Sequence, residues 1–135
     1  MEKQIYVNLP VKDLNKTVEF FTALGFKFNP QFTDENATCM IISENIFVML
    51  LVEKFFKGFT EKSVADATKT TEVIICINEE TREKVDEMVK KAVKAGGTSP
   101  MPAQDHGWMY QHGFQDLDGH IWEVMNADLS AFPQQ

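Results

Sequence analysis

One order of elements occurs twice along this chain, about 66 residues apart, and such an internal repeat narrows the possible folds more than any single segment does. Ile5-Tyr6-Val7-Asn8-Leu9-Pro10-Val11 is rich in β-formers and leads to Asp13, a residue suited to a helix N-cap. Leu14, Val18, Phe21 and Leu24 follow at helical spacing, so an amphipathic helix of about three turns is predicted, closed by Gly25. Strands are predicted at 26–32, 37–43 and 46–52, the last two joined by the hairpin-length Glu44-Asn45. The second half repeats the order with a strand at 71–77 and a helix capped by Thr81. Its apolar stripe is Val85, Met88, Val89, Ala92 and Val93, and Gly96-Gly97 ends it. A short strand near 98–101, a loop through Asp105, and strands at 108–115 and 120–125 around Asp116-Leu117-Asp118-Gly119 complete it. Both halves read β-α-β-β-β.

The fold class is therefore α+β: one domain over residues 1–135, with a first module at about 1–52, a connection at 53–69 and a second module at about 70–127. A four-stranded unit with one helix has one sheet face left to cover. Two such units that share those faces form a curved mixed sheet around a cleft, where a site is expected. The connection starts aromatic and basic (Lys54-Phe55-Phe56-Lys57-Gly58-Phe59). It suits either a crossover linker packed on the sheet or a lid over a ligand.

Charge excludes some partners. The net charge is −7, from 13 basic and 20 acidic residues, and no basic stretch offers a phosphate-binding footprint. Neither nucleic acid nor an anionic membrane is an expected partner. The longest apolar run, 46–52, is far short of the roughly 20 residues a membrane helix needs, and residues 1–4 lack a signal-peptide core. A cytoplasmic protein is expected. Cys39 and Cys76 sit in apolar, strand-like runs and are expected to be buried, reduced thiols.

Trp108, Tyr110, His112 and Phe114 share a parity, so one strand face is largely aromatic. It suits either core packing or the wall of a ligand pocket with His112 as a polar handle. Ile121 and Glu123 share one face of the last strand, and Trp122 and Val124 the other.

Asn8-Leu9-Pro10-Val11-Lys12-Asp13-Leu14, followed by Val18, Phe20-Phe21 and Leu24-Gly25-Phe26, resembles the opening of the vicinal oxygen chelate proteins. That is the glyoxalase/bleomycin-resistance/extradiol-dioxygenase superfamily. Phe114-Gln115-Asp116-Leu117-Asp118-Gly119-His120-Ile121-Trp122-Glu123-Val124 resembles its closing strand-turn-strand. The resemblance implies a site where the first and last strands of each module meet around a divalent ion that acts as a Lewis acid. By position, Glu123 falls on the final-strand ligand and Glu72 on the ligand that opens the second module. Tyr6, or Asn8 in a register two residues on, falls on the opening ligand of the first module, and the fourth position offers only Met49. This is a departure from the family pattern, because a tightly held transition metal such as Ni, Zn or Fe is better held by imidazole and thiolate; a partly hydrated hard ion such as Mn on oxygen ligands and an empty site are the alternatives.

Two functions follow from the resemblance. One is a lyase or isomerase with a divalent metal on Glu72 and Glu123. The other is a metal-free binder of the bleomycin-resistance type that takes a small organic molecule against Trp108, Tyr110 and His112. A homodimer is implied in both cases. A dioxygenase would need histidines at the module openings, which carry none.

Overall fold

The computed structural model describes residues 1–131, and each half begins with the strand-helix step that the periodicity predicts. Strand β1 (Ile5–Val11) is followed by helix α1 (Leu14–Ala23), capped by the Asp13 carboxylate, which accepts the Lys16 N–H at 3.0 Å. Gly25 adopts φ +101°, open to glycine at little cost. Its N–H donates to the Thr22 carbonyl while that of Phe26 donates to Phe21, each at 3.0 Å, and this paired arrangement ends the helix. Strands β2 (Lys27–Asn29), β3 (Ala37–Ser43) and β4 (Ile46–Val52) follow, then a short helix α2 (Glu53–Phe56) and a single 3-10 turn, Lys57–Phe59. The sheet order is β1-β4-β3-β2, with β1 parallel to β4 and the other pairs antiparallel.

Leu9, Val11, Met40, Val48 and Leu50 share one sheet face and are buried, as are Phe20 and Phe21 of α1. Removing each phenylalanine side chain from water contributes about 2–3 kcal/mol. Two adjacent rings that both need cover, packed edge to face at 5.0 Å, roll the helix away from the expected stripe. Thr17 is buried and Leu14 and Val18 are only half-buried. The Thr17 hydroxyl tolerates burial because it donates to the Asp13 carbonyl at 2.8 Å. The strand expected at 26–32 stops at Asn29, because Pro30 has no N–H for a ladder and the Asn29 side chain accepts from Gln31.

The second unit begins at Ala67 and repeats the pattern. It holds β5 (Ile74–Asn78), α3 (Arg82–Lys94), β6 (Gln104–Asp105), β7 (Met109–Gln115) and β8 (Ile121–Ala127), in the order β5-β8-β7-β6. Thr81 caps α3 by accepting from the Lys84 N–H at 3.1 Å, and Gly96 and Gly97 close it with the same pair of bonds as in the first unit. Val85, Met88, Val89 and Ala92 are buried, whereas Val93, expected in the stripe, is 48% exposed in the last turn. The strand expected near 98–101 reduces to one bridge between Thr98 and Gln115, and β6 forms within the expected loop. The strand expected from Thr71 begins only at Ile74. Its partner in β8 starts at Ile121, so nothing remains for residues 71–73 to pair with.

Asp116 organises the β7–β8 turn. Its buried carboxylate accepts from the backbone N–H of Asp118 and of His120 and from the Trp122 indole, each at 3.0 Å. Burial, the largest influence, raises its pKa, and the hydrogen bonds and His120 oppose that rise. Gly119, at φ +88°, leaves room for the start of the unit, since a Cβ there would lie 2.9 Å from the Ala67 backbone.

Each unit is thus a four-stranded mixed sheet with one long helix, the α+β architecture of two repeated modules expected from sequence. Among the described residues no helix is long and apolar enough to cross a membrane.

Candidate functional site

Strand register sorts the second sheet into two faces. Helix α3 lies against β7 and β8, on the side of the buried Phe114, Trp122 and Val124. The opposite side carries Ile74, Cys76 and Asn78 from β5, Ile121, Glu123 and Met125 from β8, and Gln111, Gly113 and Gln115 from β7. Cys76, Glu123 and Gly113 form one row across the three strands. Among the strand residues of this face, Glu123 is the only carboxylate and no lysine or arginine accompanies it. Its side chain makes no hydrogen bond or ion pair among the described residues.

Two neighbours define the surroundings of this carboxylate. Gly113 stands directly opposite, and a Cβ on it would lie 3.1 Å from Glu123 Oε1. Cys76 stands on the other side, exposed rather than buried as expected. Its thiol pKa is raised, first by partial desolvation and then by the negative charge of Glu123. Cys39 is buried, as its surroundings in β3 imply, and burial raises its pKa too.

The aromatic parity in β7 is real, but it faces α3. Phe114 stacks with Trp122 in the core, with ring centroids 6.3 Å apart. Tyr110 donates its hydroxyl to Asp86 of α3 at 2.6 Å, which is the first cause of its raised pKa, and its ring lies 5.2 Å from the Arg82 guanidinium. His112 Nε2 is 3.2 Å from the Ser99 hydroxyl, and its Nδ1 is 3.9 Å from Asp86, too long for a hydrogen bond. Arg82 also holds Asp105 through two bonds, at 2.7 and 3.0 Å, and keeps its carboxyl below the usual range. Tyr110 therefore braces the helix, and neither it nor His112 shares a face with Glu123. Trp108 precedes β7, where its carbonyl accepts the Asp128 N–H.

Glu72 lies outside the strand in which it was expected. It lies exposed on a bend two residues before β5, and the register partner of Glu123 is Cys76. In the first unit, Tyr6, Asn8 and Met49 do share one face, that opposite the α1 core, with Asn8 and Met49 paired in register and Cys39 next in the row. The Tyr6 ring stacks on Phe47 at 4.9 Å, its hydroxyl donates to Gln4 at 2.9 Å, and the Asn8 amide donates to the Tyr6 carbonyl at 3.2 Å. Sequence reasoning missed Gly113 and Cys76 as neighbours of Glu123. The four-residue turn Asp116-Leu117-Asp118-Gly119 held the signal for Gly113, since it fixes the β7–β8 register, whereas Cys76 is placed by the parallel β5–β8 pairing.

The donor set does not suit a tightly held divalent ion. Around Glu123 it comprises one carboxylate, a thiol whose pKa is raised, and neutral amides and thioethers, where Ni, Zn or Fe would favour imidazole and thiolate and Mn more than one carboxylate. His112 is on the helix side, and His106 and His120 lie in the loop before β7 and in the turn before β8. Among the described residues no group of three or more His, Cys, Asp or Glu side chains is placed to hold a metal.

Each of the two units has the βαβββ order, and Glu123 is the one glutamate of the last strand. The bleomycin resistance protein-like N-terminal family matches residues 3–43. The structure of hypothetical protein SA1046 from S. aureus is 34% identical, with a TM-score of 0.78 over 93% of this chain and 94% of that one. A glyoxalase/bleomycin resistance protein/dioxygenase family enzyme from Burkholderia phytofirmans PsJN has a TM-score of 0.77 at 17% identity, over 93% of this chain and 99% of that one. The fosfomycin resistance protein FosX from Listeria monocytogenes has a TM-score of 0.68 at 18% identity, over 96% and 97%. No curated protein matches the chain. The chain therefore has the fold of the glyoxalase, bleomycin-resistance and dioxygenase structures that it matches.

Proposed function

We propose that this protein binds a small organic molecule on the Glu123 face of the second sheet, without a metal ion. The carboxylate of Glu123, with no cationic residue beside it on that face, is the observation that carries the reading. A carboxylate on a surface of Ile74, Ile121 and Met125 suits a ligand with an apolar body and a positively charged nitrogen. Gln111 and Asn78 supply neutral donors and acceptors around it. The negative net charge favours the approach of such a cation. The metal-dependent lyase or isomerase built on Glu72 and Glu123 is the competing reading. It is disfavoured because Glu72 lies outside the strand and imidazole ligands are wanting. The binder is proposed to work as a cytoplasmic homodimer, which light scattering on the purified protein tests.

The functional test compares 2-naphthylmethylammonium with the neutral 2-naphthylmethanol by calorimetry, in chelator, against wild type and Glu123→Gln. Preference for the cation, lost in Glu123→Gln, supports the proposal. Equal affinity for the two, or a cation preference that survives Glu123→Gln, removes it.

A further inference from the structure

Gly113 sits mid-strand with a negative φ, so its backbone conformation does not demand glycine. A glycine in a strand interior weakens the strand, and it commonly marks a place where another group comes close. That group is identifiable. A Cβ at this position would lie 3.1 Å from Glu123 Oε1, 3.2 Å from Glu123 Cδ and 3.1 Å from the Trp122 carbonyl oxygen. Two of those atoms belong to the carboxylate that the binding reading rests on, so the volume of the missing methyl is the space over which this carboxylate lies.

The floor of this niche is held from the other side of the sheet. The Ser99 hydroxyl donates to the Gly113 carbonyl at 2.7 Å and meets His112 Nε2 at 3.2 Å, while Gly113 pairs in register with Glu123. The strand cannot easily drop away to admit a methyl group, so the Glu123 side chain has to give.

We infer that Gly113 is a positioning residue: by lacking a side chain it lets the Glu123 carboxylate lie down over β7, and this low pose selects flat cationic ligands. With the carboxylate over β7, Ile121 and Met125 of β8 and Ile74 of β5 make an apolar surface on the same face that suits a planar apolar body. An alanine at 113 pushes the carboxylate away from β7 by a few tenths of an ångström and narrows that shelf. The selectivity part of this inference rests on the binding reading above; the pose of Glu123 does not.

The experiment therefore has one readout without ligand and one with it. The ¹³Cδ resonance of Glu123, assigned by its loss in Glu123→Gln, is recorded in wild type and Gly113→Ala. Affinity for 2-naphthylmethylammonium is then measured in wild type, Gly113→Ala, Glu123→Ala and the double variant. A shifted Glu123 resonance is expected. About tenfold weaker binding is expected in Gly113→Ala, with little further loss when the same change is made in Glu123→Ala, as for two residues in contact. Thermal melts of the four proteins guard against simple misfolding: Gly113→Ala should destabilise less when Glu123 has already been truncated. An unmoved resonance together with additive effects would overturn the inference. A moved resonance with no binding of the probe to wild type would uphold the pose of Glu123 and defeat the binding reading instead.

Discussion

Replacing Asp116 with alanine should bring the second unit close to unfolding, because one buried carboxylate closes the turn that presents β8. Three N–H donors lose their acceptor: the backbone groups of Asp118 and His120 and the Trp122 indole. Asp118 and His120 are half-buried and regain some hydration, at about 0.5–1.5 kcal/mol each. Trp122 is fully buried, and its stranded N–H costs about 1–3 kcal/mol. The sum is about 2–6 kcal/mol, a large share of the roughly 5–15 kcal/mol typical of a whole domain. Asp116→Asn keeps one acceptor oxygen for the two backbone groups but turns an amide donor toward the indole, so about 2 kcal/mol is expected.

The two variants also differ from wild type in their response to pH. Burial raises the Asp116 pKa, so the folded protein keeps this proton to a higher pH than the unfolded chain does. Its contribution is complete below the unfolded value and falls as pH rises through the raised folded value. Asparagine shows no such fall, so the advantage of wild type over Asp116→Asn should narrow as pH rises above about 4. Urea unfolding followed by tryptophan fluorescence at several pH values measures both effects. A cost below about 1 kcal/mol for Asp116→Ala, or a gap that widens with pH, would refute this reasoning.

Other changes have narrower consequences. Thr81→Ala removes the α3 cap and should cost about 1 kcal/mol, seen as a melting temperature lower by about 4 °C. Asp86→Asn keeps one acceptor oxygen but removes the charge that helps raise the Tyr110 pKa, so phenolate absorbance should appear at lower pH than in wild type. Glu123→Gln removes a charge that raises the Cys76 thiol pKa. Alkylation of Cys76 should accelerate at a lower pH, with Cys39→Ser used to isolate the signal.

Much of the fold was legible because both helices carry their own boundaries. Asp13 and Gly25, and Thr81 with Gly96, supply caps whose chemistry is local, so the ends of α1 and α3 could be placed by reading along the chain. Element ends that depend on a partner strand were less legible. Thr71 and Val73 look like strand residues, but β8 offers them no register partner, and Glu72 is left outside the sheet. The site was half legible for the same reason. Parity grouped Tyr110, His112 and Phe114 correctly, yet only the cross-strand pairing of Phe114 with Trp122 shows that this group belongs to the helix side. Gly113 carried no motif of its own, and its meaning comes from the carboxylate across the strand.

The most direct test of the central claim is a backbone-amide NMR map of the protein with 2-naphthylmethylammonium, recorded with and without a chelator. Perturbations centred on Cys76, Gly113, Glu123 and Met125, unchanged by the chelator, are the expected result. Perturbations that appear only when a divalent ion is supplied, or that centre on Tyr110 and His112, would contradict it.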